Sequence, residues 1–290
     1  MPSSPRLIQA QYKFILWLRL NAWPNVIRAD PLRQLSSNVG VITGTPCTFV
    51  ASMNANDRVI VALDFGSEAE AKALVEQLGV TASSYKVGLQ LLTAEGPSIV
   101  RWLVGHGKKV FLDLKLHEIP NSVASAVTVA GSLGVSMVTV HASGGSAVLR
   151  AAVKAAQPFP HLQVLALTVI TSMGEQDLAE IGFHGSVLEQ VERLAALAAA
   201  AGCHGVIASA QEAARLRLVL PAKMLIVTPG TQLAGEAAND QTRTATPSQA
   251  IQAGATHLVI GRSIARAASP VTAFASICSE VAEAPEPCHR

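Results

Sequence analysis

The chain has 290 residues, half of them hydrophobic and 14% charged, with 21 glycines and a formal net charge of +2. This composition is typical of a globular protein, and one domain of roughly 200 to 250 residues plus an appendage fits the length. The near-neutral charge disfavours a nucleic-acid surface, which needs a concentrated basic face, so small ligands are the expected partners.

Residues 1–52 differ in composition from the rest, being rich in Arg, Pro, Ser and Asn, with Asp30 as their single acidic residue. Their one apolar run, at 14–18, is too short to span a bilayer. An acid-poor segment that contains arginines resembles a transit peptide. The alternative is a misassigned upstream start, because Met53 opens a segment that reads naturally as the start of the first strand. We expect this extension to lie outside the fold and to be disordered or partly helical.

From Asp57 onward, short β-rich apolar runs alternate with Ala-rich helical segments. Eight strands are predicted, at residues 58–64, 84–90, 109–115, 136–142, 163–170, 205–209, 224–229 and 257–262. Among the helices, one has Ser67 as N-cap with Glu70 at the capping-box position, and another runs from Ser186 to Gly202. Strands separated by helices in this way predict a parallel sheet, and eight units fit a (β/α)8 barrel over residues 53–280 followed by a tail at 281–290.

A doubly wound sheet is the alternative fold. That fold usually carries a glycine-rich phosphate fingerprint after its first strand, and the segment ALDFGSEAE lacks it. The four cysteines are widely spaced, with neither CxxC nor Cys/His ligand spacing, so neither a disulfide framework nor a zinc site is indicated. We therefore expect a cytoplasmic protein.

A barrel predicts that catalytic groups lie at the C-terminal ends of its strands. The candidate residues at the predicted strand ends follow this rule, and they are Asp64, Lys86, Asp113, Lys115, His141, Thr171, Ser172 and Arg262, with Gly261 preceding Arg262. Each has a structural alternative when taken alone, such as a helix cap for Asp64 or a core histidine for His141. Their shared position at one rim favours an active site.

The central pair is Asp113 and Lys115, two residues apart at the end of the third strand. Side chains at i and i+2 of a strand face the same way, so a carboxylate and an ammonium would project together. Alone, this pattern is most often a surface ion pair. His117 and Glu118 follow within one turn, which concentrates ionisable groups in one segment.

Several motifs of this chain resemble those of the bacterial orotidine 5'-phosphate decarboxylase family, in the same order from about Asp57 to Pro270. The motifs are VALDF, YKVGLQLLTAEGP, FLDLKLHEIPNSVA, LTVITSM, VTPGTQ followed by NDQTR, and LVIGRSI. The resemblance implies decarboxylation of orotidine 5'-monophosphate to UMP in pyrimidine biosynthesis, without a metal or organic cofactor. It also implies a homodimer with shared active sites.

By this resemblance, Lys115 is the proton donor, Asp113 lies beside the scissile carboxylate, and Lys86 completes the charge network. Asp64 would bind the ribose hydroxyls. Glu118 and Ser122 occupy positions that the family supplies to the neighbouring subunit's site.

The remaining contacts implied by the resemblance concern the base and the phosphate. Thr171 and Ser172 correspond to contacts with the pyrimidine edge. Gly261 and Arg262 open a helix after the eighth strand, where barrels commonly bind phosphate. Gln241 corresponds to a second phosphate contact, at the end of a segment at 230–240 that we expect to act as a lid.

Three positions depart from the family pattern. Glu118 stands in place of an aspartate and is one methylene longer, and Ser122 replaces a threonine. Gln232 stands where the family carries an arginine to the phosphate. These changes predict reduced turnover and weaker substrate affinity.

Two other functions remain open from the sequence. Metal-using sugar-phosphate decarboxylases and aldolases share a DxK on the third strand, but their pattern has an acidic residue at the position of Lys86, where a lysine would repel a divalent cation. A catalytically impaired barrel that binds nucleotides is the other alternative, suggested by Glu118 and Gln232.

Overall fold

The computed structural model describes residues 53–233 and 244–285. In this part of the chain, eight parallel strands pair in sequence order and close into a barrel. The strands are β1 Val59–Ala62, β2 Ser84–Gly88, β3 Lys109–Leu116, β4 Met137–His141, β5 Gln163–Leu167, β6 Gly205–Ile207, β7 Leu225–Thr228 and β8 His257–Ile260. The predicted (β/α)8 fold is confirmed, and the doubly wound alternative is wrong because β1 pairs with β8.

Helices connect successive strands around the outside of the barrel. They are α1 Ala55–Arg58, α2 Glu68–Leu78, α3 Leu89–Glu95, α4 Ser98–Gly105, α5 Pro120–Ser132, α6 Gly145–Ala156, α7 Glu175–Glu180, α8 Val187–Ala201, α9 Ala210–Val219, α10 Pro247–Gln252, α11 Arg262–Ala265 and α12 Pro270–Glu283. A 3-10 turn at Ala142–Gly144 follows β4.

Capping residues set the ends of the two helices whose limits were predicted. Ser186 and Glu189 form a reciprocal capping box at the start of α8, and Gly202 ends that helix in the left-handed conformation with φ +84°. Ser67 accepts from the Glu70 backbone N–H at 3.3 Å, while the Ser67 hydroxyl donates to the Glu70 carboxylate at 2.8 Å. Both predicted N-caps are confirmed.

The apolar core has an outer layer between strands and helices and an inner layer within the barrel. The inner layer consists of Ile60, Ala62, Phe111, Leu165, Leu167, Ile207, Leu225, Val227 and Val259. In the ladders, Lys86 pairs with Ala62 on one side and with Phe111 on the other. Because paired residues of parallel strands face the same side, Lys86 projects into the barrel above this apolar layer.

The strand β3 is not regular. Its register with β4 shifts between Leu112, which pairs with Val138, and Leu116, which pairs with Val140. Two extra residues of β3 are accommodated there, and Lys115 adopts a left-handed backbone conformation with φ +50°. The prediction of a regular strand at Asp113 and Lys115 is therefore wrong, although the two side chains do contact each other.

Several sequence expectations fall on residues outside the described ranges. These are the 1–52 extension, Gln241 with most of the expected lid, and the last five residues of the tail. The helix α12 continues past residue 280 to Glu283, and Val281 within it is buried. No helix in the described ranges is long and apolar enough to cross a membrane.

Candidate active site

A cavity of about 860 Å³ opens at the C-terminal end of the barrel. Nine of the residues predicted from the sequence line it, namely Asp64, Lys86, Asp113, Lys115, Thr171, Ser172, Gln232, Gly261 and Arg262. The loops after β1, β5, β7 and β8 thus converge with the side chains of β2 and β3. The rim position of these residues is the arrangement expected for a barrel active site.

Asp113 and Lys115 form an ion pair within the cavity. The Lys115 Nζ donates to Asp113 Oδ2 at 2.8 Å, and the Asp113 side chain is only 14% exposed. Thr139 of β4, which is fully buried, donates from its hydroxyl to the other carboxylate oxygen at 2.9 Å and accepts from the Lys115 backbone N–H at 2.8 Å. The Thr139 hydroxyl thus accepts the hydrogen bond that the Lys115 backbone N–H would donate to a main-chain carbonyl in a regular strand.

A second ion pair joins neighbouring strands. Lys86 Nζ donates to Asp64 Oδ1 at 2.7 Å, with the lysine side chain 11% exposed and the aspartate 54% exposed. A Cβ added at Gly88 would lie 3.1 Å from Lys86 Nζ and 3.4 Å from Asp64 Oδ1. Gly88 leaves room for this pair.

His141 ends β4 beside the DxK segment. Its ring stacks on His117 with centroids 5.0 Å apart, and its Nδ1 accepts from the Ser143 backbone N–H at 3.3 Å. Burial lowers the pKa of His141, and the nearby His117 and Lys115 lower it further. His141 is thereby favoured in its neutral form, and its contacts bind β4 to the loop after β3.

Gln232 lies where the segment after β7 returns toward the sheet. Its backbone N–H donates to the Ala245 carbonyl at 3.0 Å, and Thr231 forms a bridge with Ala245. The side-chain Nε2 is buried and has no hydrogen-bond partner in the described part of the chain. Gln232 lines the cavity, as do Gly261 and Arg262, which follow the neighbouring strand β8.

Glu118 and Ser122 do not line the cavity of their own chain. Both side chains are exposed, Glu118 in the loop after β3 and Ser122 in the first turn of α5. Between them Ile119 is 61% exposed, which is high for a large apolar side chain. Glu118 and Ser122 are therefore not among the predicted residues that line the cavity.

Several residues of the site were not predicted from the sequence. Thr139 and Gly88 lie beside the two ion pairs, and the missed residues of the cavity lining that bear on chemistry are Glu70, Gln90, Ser263 and Arg266. Thr139 has a readable signal, because it is a polar residue two positions before His141 in an otherwise apolar strand. Arg266 has one too, since it lies four residues after Arg262 and could share its helix face. Among the described residues, no group of three or more His, Cys, Asp or Glu side chains could hold a metal ion.

Comparison with known proteins relates this site to one family. Residues 57–277 match the sequence profile of the orotidine 5'-phosphate decarboxylase / HUMPS family. An orotidine 5'-phosphate decarboxylase of Hahella chejuensis is 45% identical over 230 residues, covering 79% of this chain and 99% of the relative. Another from Laribacter hongkongensis is 48% identical over 220 residues, covering 76% and 90%. The crystal structure of the Lactobacillus acidophilus orotidine 5'-phosphate decarboxylase superimposes with a TM-score of 0.70 at 33% identity, covering 77% of this chain and 98% of that one.

Proposed function

We infer that this chain, which belongs to the orotidine 5'-phosphate decarboxylase / HUMPS family, is a carboxy-lyase that converts orotidine 5'-monophosphate to UMP and CO2. The observation that carries this function is the pairing of Lys115 with Asp113 at 2.8 Å inside the barrel cavity. The high identity to decarboxylases over nearly their full length supports the same conclusion.

The proposed step breaks the bond between C6 of the pyrimidine and its carboxylate. The electron pair stays on C6, in the plane of the ring, where no carbonyl can delocalise it, and CO2 departs. The Lys115 ammonium stabilises this charge and donates its proton to C6, which yields UMP. The neutral amine then takes a proton from water. These steps need no metal or organic cofactor, because fixed charges of the chain supply the stabilisation.

Asp113 is proposed to orient Lys115 toward the reacting carbon while lying beside the departing carboxylate. Its second oxygen is held by Thr139, so the carboxylate is fixed at both ends. Lys86 adds positive charge from β2, and its partner Asp64 is the more exposed member of that pair. An exposed carboxylate at the rim is suited to accept hydrogen bonds from the ribose hydroxyls.

The base and the phosphate are proposed to bind at opposite sides of the cavity. Thr171 and Ser172, after β5, would contact the pyrimidine edge. Gly261 and Arg262, after β8, would bind the phosphate together with the buried donor of Gln232. Gln241 remains a proposed phosphate contact from the expected lid.

We propose a homodimer in which Glu118 and Ser122 reach the partner's cavity. Two observations support this arrangement, namely that both side chains are exposed and that neither lines the cavity of its own chain. The exposed Ile119 between them offers apolar surface for burial at such an interface. A shared site of this kind would make activity depend on association.

The cytoplasm is the proposed compartment, in keeping with the free, buried thiols of Cys203 and Cys278. The two alternative functions are not favoured. In a metal-using decarboxylase or aldolase, the ammonium of Lys86 would stand where a metal ligand is needed, and an impaired nucleotide-binding barrel would not require the Asp113 and Lys115 pair.

The test is to incubate the purified full-length protein with orotidine 5'-monophosphate and EDTA while following the loss of orotate absorbance. We expect conversion to UMP that EDTA does not slow. Activity that EDTA abolishes and a divalent cation restores would favour the metal-using enzymes. Absence of turnover with retained UMP binding would favour the impaired barrel.

A further inference from the structure

A second arginine lines the cavity near Arg262, at a position that the family resemblance does not assign. We propose that Arg266 is a substrate-binding residue that contacts the phosphate, providing the guanidinium that the family pattern places at residue 232 and that Gln232 lacks. This inference rests on the proposed function, because it takes the ligand to be a nucleoside 5'-monophosphate.

The backbone places Arg266 next to Arg262. The Arg266 N–H donates to the Arg262 carbonyl at 2.9 Å, which closes one helical turn at the end of α11. Residues four apart on such a turn lie on the same face. Both arginines line the cavity, and both are exposed, so a ligand entering from solvent can reach their guanidinium groups.

The charges of the cavity give Arg266 a role. Acidic side chains in the lining are Asp64, Glu70 and Asp113, and basic ones are Lys86, Lys115, Arg262 and Arg266. Both lysines already have carboxylate partners within 2.8 Å. With four basic and three acidic side chains, the lining has one positive charge in excess, and this excess disappears if Arg266 is neutralised.

The substrate carries a strongly negative charge, since a phosphate monoester holds about −1.5 to −2 at pH 7 and the orotate carboxylate adds another. Gln232 offers this phosphate a neutral donor, its buried Nε2, which has no hydrogen-bond partner among the residues at 53–233 and 244–285. A guanidinium adds charge and can bind two phosphate oxygens at once. Arg266 thus supplies the charge that the glutamine cannot, and the two residues follow the neighbouring strands β8 and β7.

The test compares the binding of UMP and uridine, which differ only in the phosphate, to the wild-type protein and to Arg266→Gln by calorimetry. A charge-assisted contact predicts that Arg266→Gln weakens UMP at least about tenfold, or 1.4 kcal/mol, and leaves uridine unchanged. Arg266→Lys should lose less than Arg266→Gln, because the charge remains. The matched control is Arg101→Gln, at an exposed position of α4 away from the cavity, which should change neither ligand.

A double variant tests whether a guanidinium at residue 232 can replace the one at residue 266. Adding Gln232→Arg to Arg266→Gln should restore UMP binding toward the wild-type value without affecting uridine. The inference is wrong if Arg266→Gln leaves the ratio of UMP to uridine affinity unchanged, or if Gln232→Arg restores nothing. Those outcomes are separate from failure of the proposed function, which would appear as lack of decarboxylation by the wild-type protein with Arg266 intact.

Discussion

The Thr139 hydroxyl donates a hydrogen bond of 2.9 Å to Asp113 Oδ1, which fixes the carboxylate that pairs with the proposed proton donor. The same hydroxyl oxygen accepts from the Lys115 backbone N–H where β3 departs from regular pairing. One buried side chain of β4 thus stabilises both the left-handed backbone of Lys115 and the orientation of its partner. A left-handed conformation is costly for a residue with a Cβ, so it persists only where neighbouring contacts enforce it.

Thr139→Val removes this hydroxyl at nearly constant volume, and we expect kcat to fall at least about tenfold, because Lys115 and Asp113 lose their common partner. Thr139→Ser keeps the hydroxyl and should retain most of the activity. Thr93→Val, at an exposed position of α3, is the control. Wild-type kcat in Thr139→Val would show that the hydroxyl does not position the pair.

Glu118→Asp restores the aspartate of the family pattern, and we expect turnover to rise, by roughly threefold to tenfold, because the shorter side chain returns the carboxylate to its usual reach. Steady-state kcat measures the effect, with the exposed Glu76→Asp of α2 as the control. If Glu118→Asp lowers kcat, the interpretation of Glu118 as a compromised position is wrong.

Mixing two inactive variants tests the shared site. Lys115→Ala lacks the proton donor, and Glu118→Ala lacks the carboxylate proposed to enter the partner's cavity. In mixed dimers, one of the two sites combines an intact Lys115 with an intact Glu118, so an equal mixture should recover about a quarter of wild-type activity. Recovery should require subunit exchange, for example by dilution and reconcentration. Activity no greater than the sum of the separate variants would contradict sharing of the site by two subunits.

His257, at the start of β8, makes stability depend on pH. Its pKa is lowered to about 4, mainly by burial and also by the charges of Arg58 and Lys109, while Asp57 opposes this shift. In the unfolded chain this histidine binds a proton near pH 6.5, whereas in the folded protein it does so only near pH 4. The folded protein therefore loses stability as the pH falls from about 6.5 to about 4. The loss attributable to His257 is on the order of 3 kcal/mol.

Urea unfolding at pH 7 and pH 5 measures this dependence. The wild-type protein should lose more free energy of unfolding between the two pH values than His257→Gln does. His161→Gln, at an exposed position, should behave like the wild type. Equal losses in the wild-type protein and in His257→Gln would show that this histidine does not titrate as described.

The sequence was sufficient to predict the positions of the strands, because buried Val, Ile and Leu runs between helices leave few alternatives to a parallel sheet. It predicted several strand ends too far downstream. β1 ends at Ala62 rather than at Asp64, and β5 ends at Leu167 rather than at residue 170. In both places the chain leaves the ladder so that polar groups can reach the cavity from loops.

The parts of the site that the sequence could not predict depend on contacts between distant segments. The irregular pairing at Lys115 requires Thr139, which lies 24 residues away, and no local pattern in FLDLKLHEIP indicates it. The pairing of Lys86 with Asp64 spans 22 residues and needs the close approach allowed by Gly88. The resemblance assigns no role to Arg266, and its spacing of four residues from Arg262 does not by itself indicate that the side chain lines the cavity.

The most direct test of the account is the rate of orotidine 5'-monophosphate decarboxylation by Lys115→Ala in the presence of EDTA, with Lys154→Ala of α6 as an exposed-lysine control. Far-ultraviolet circular dichroism would first establish that the variant is folded. We expect Lys154→Ala to match the wild-type protein and Lys115→Ala to lose at least about a thousandfold in kcat, since both charge stabilisation and the proton donor are removed. A folded Lys115→Ala that decarboxylates the substrate at a rate near that of the wild-type protein would contradict the account.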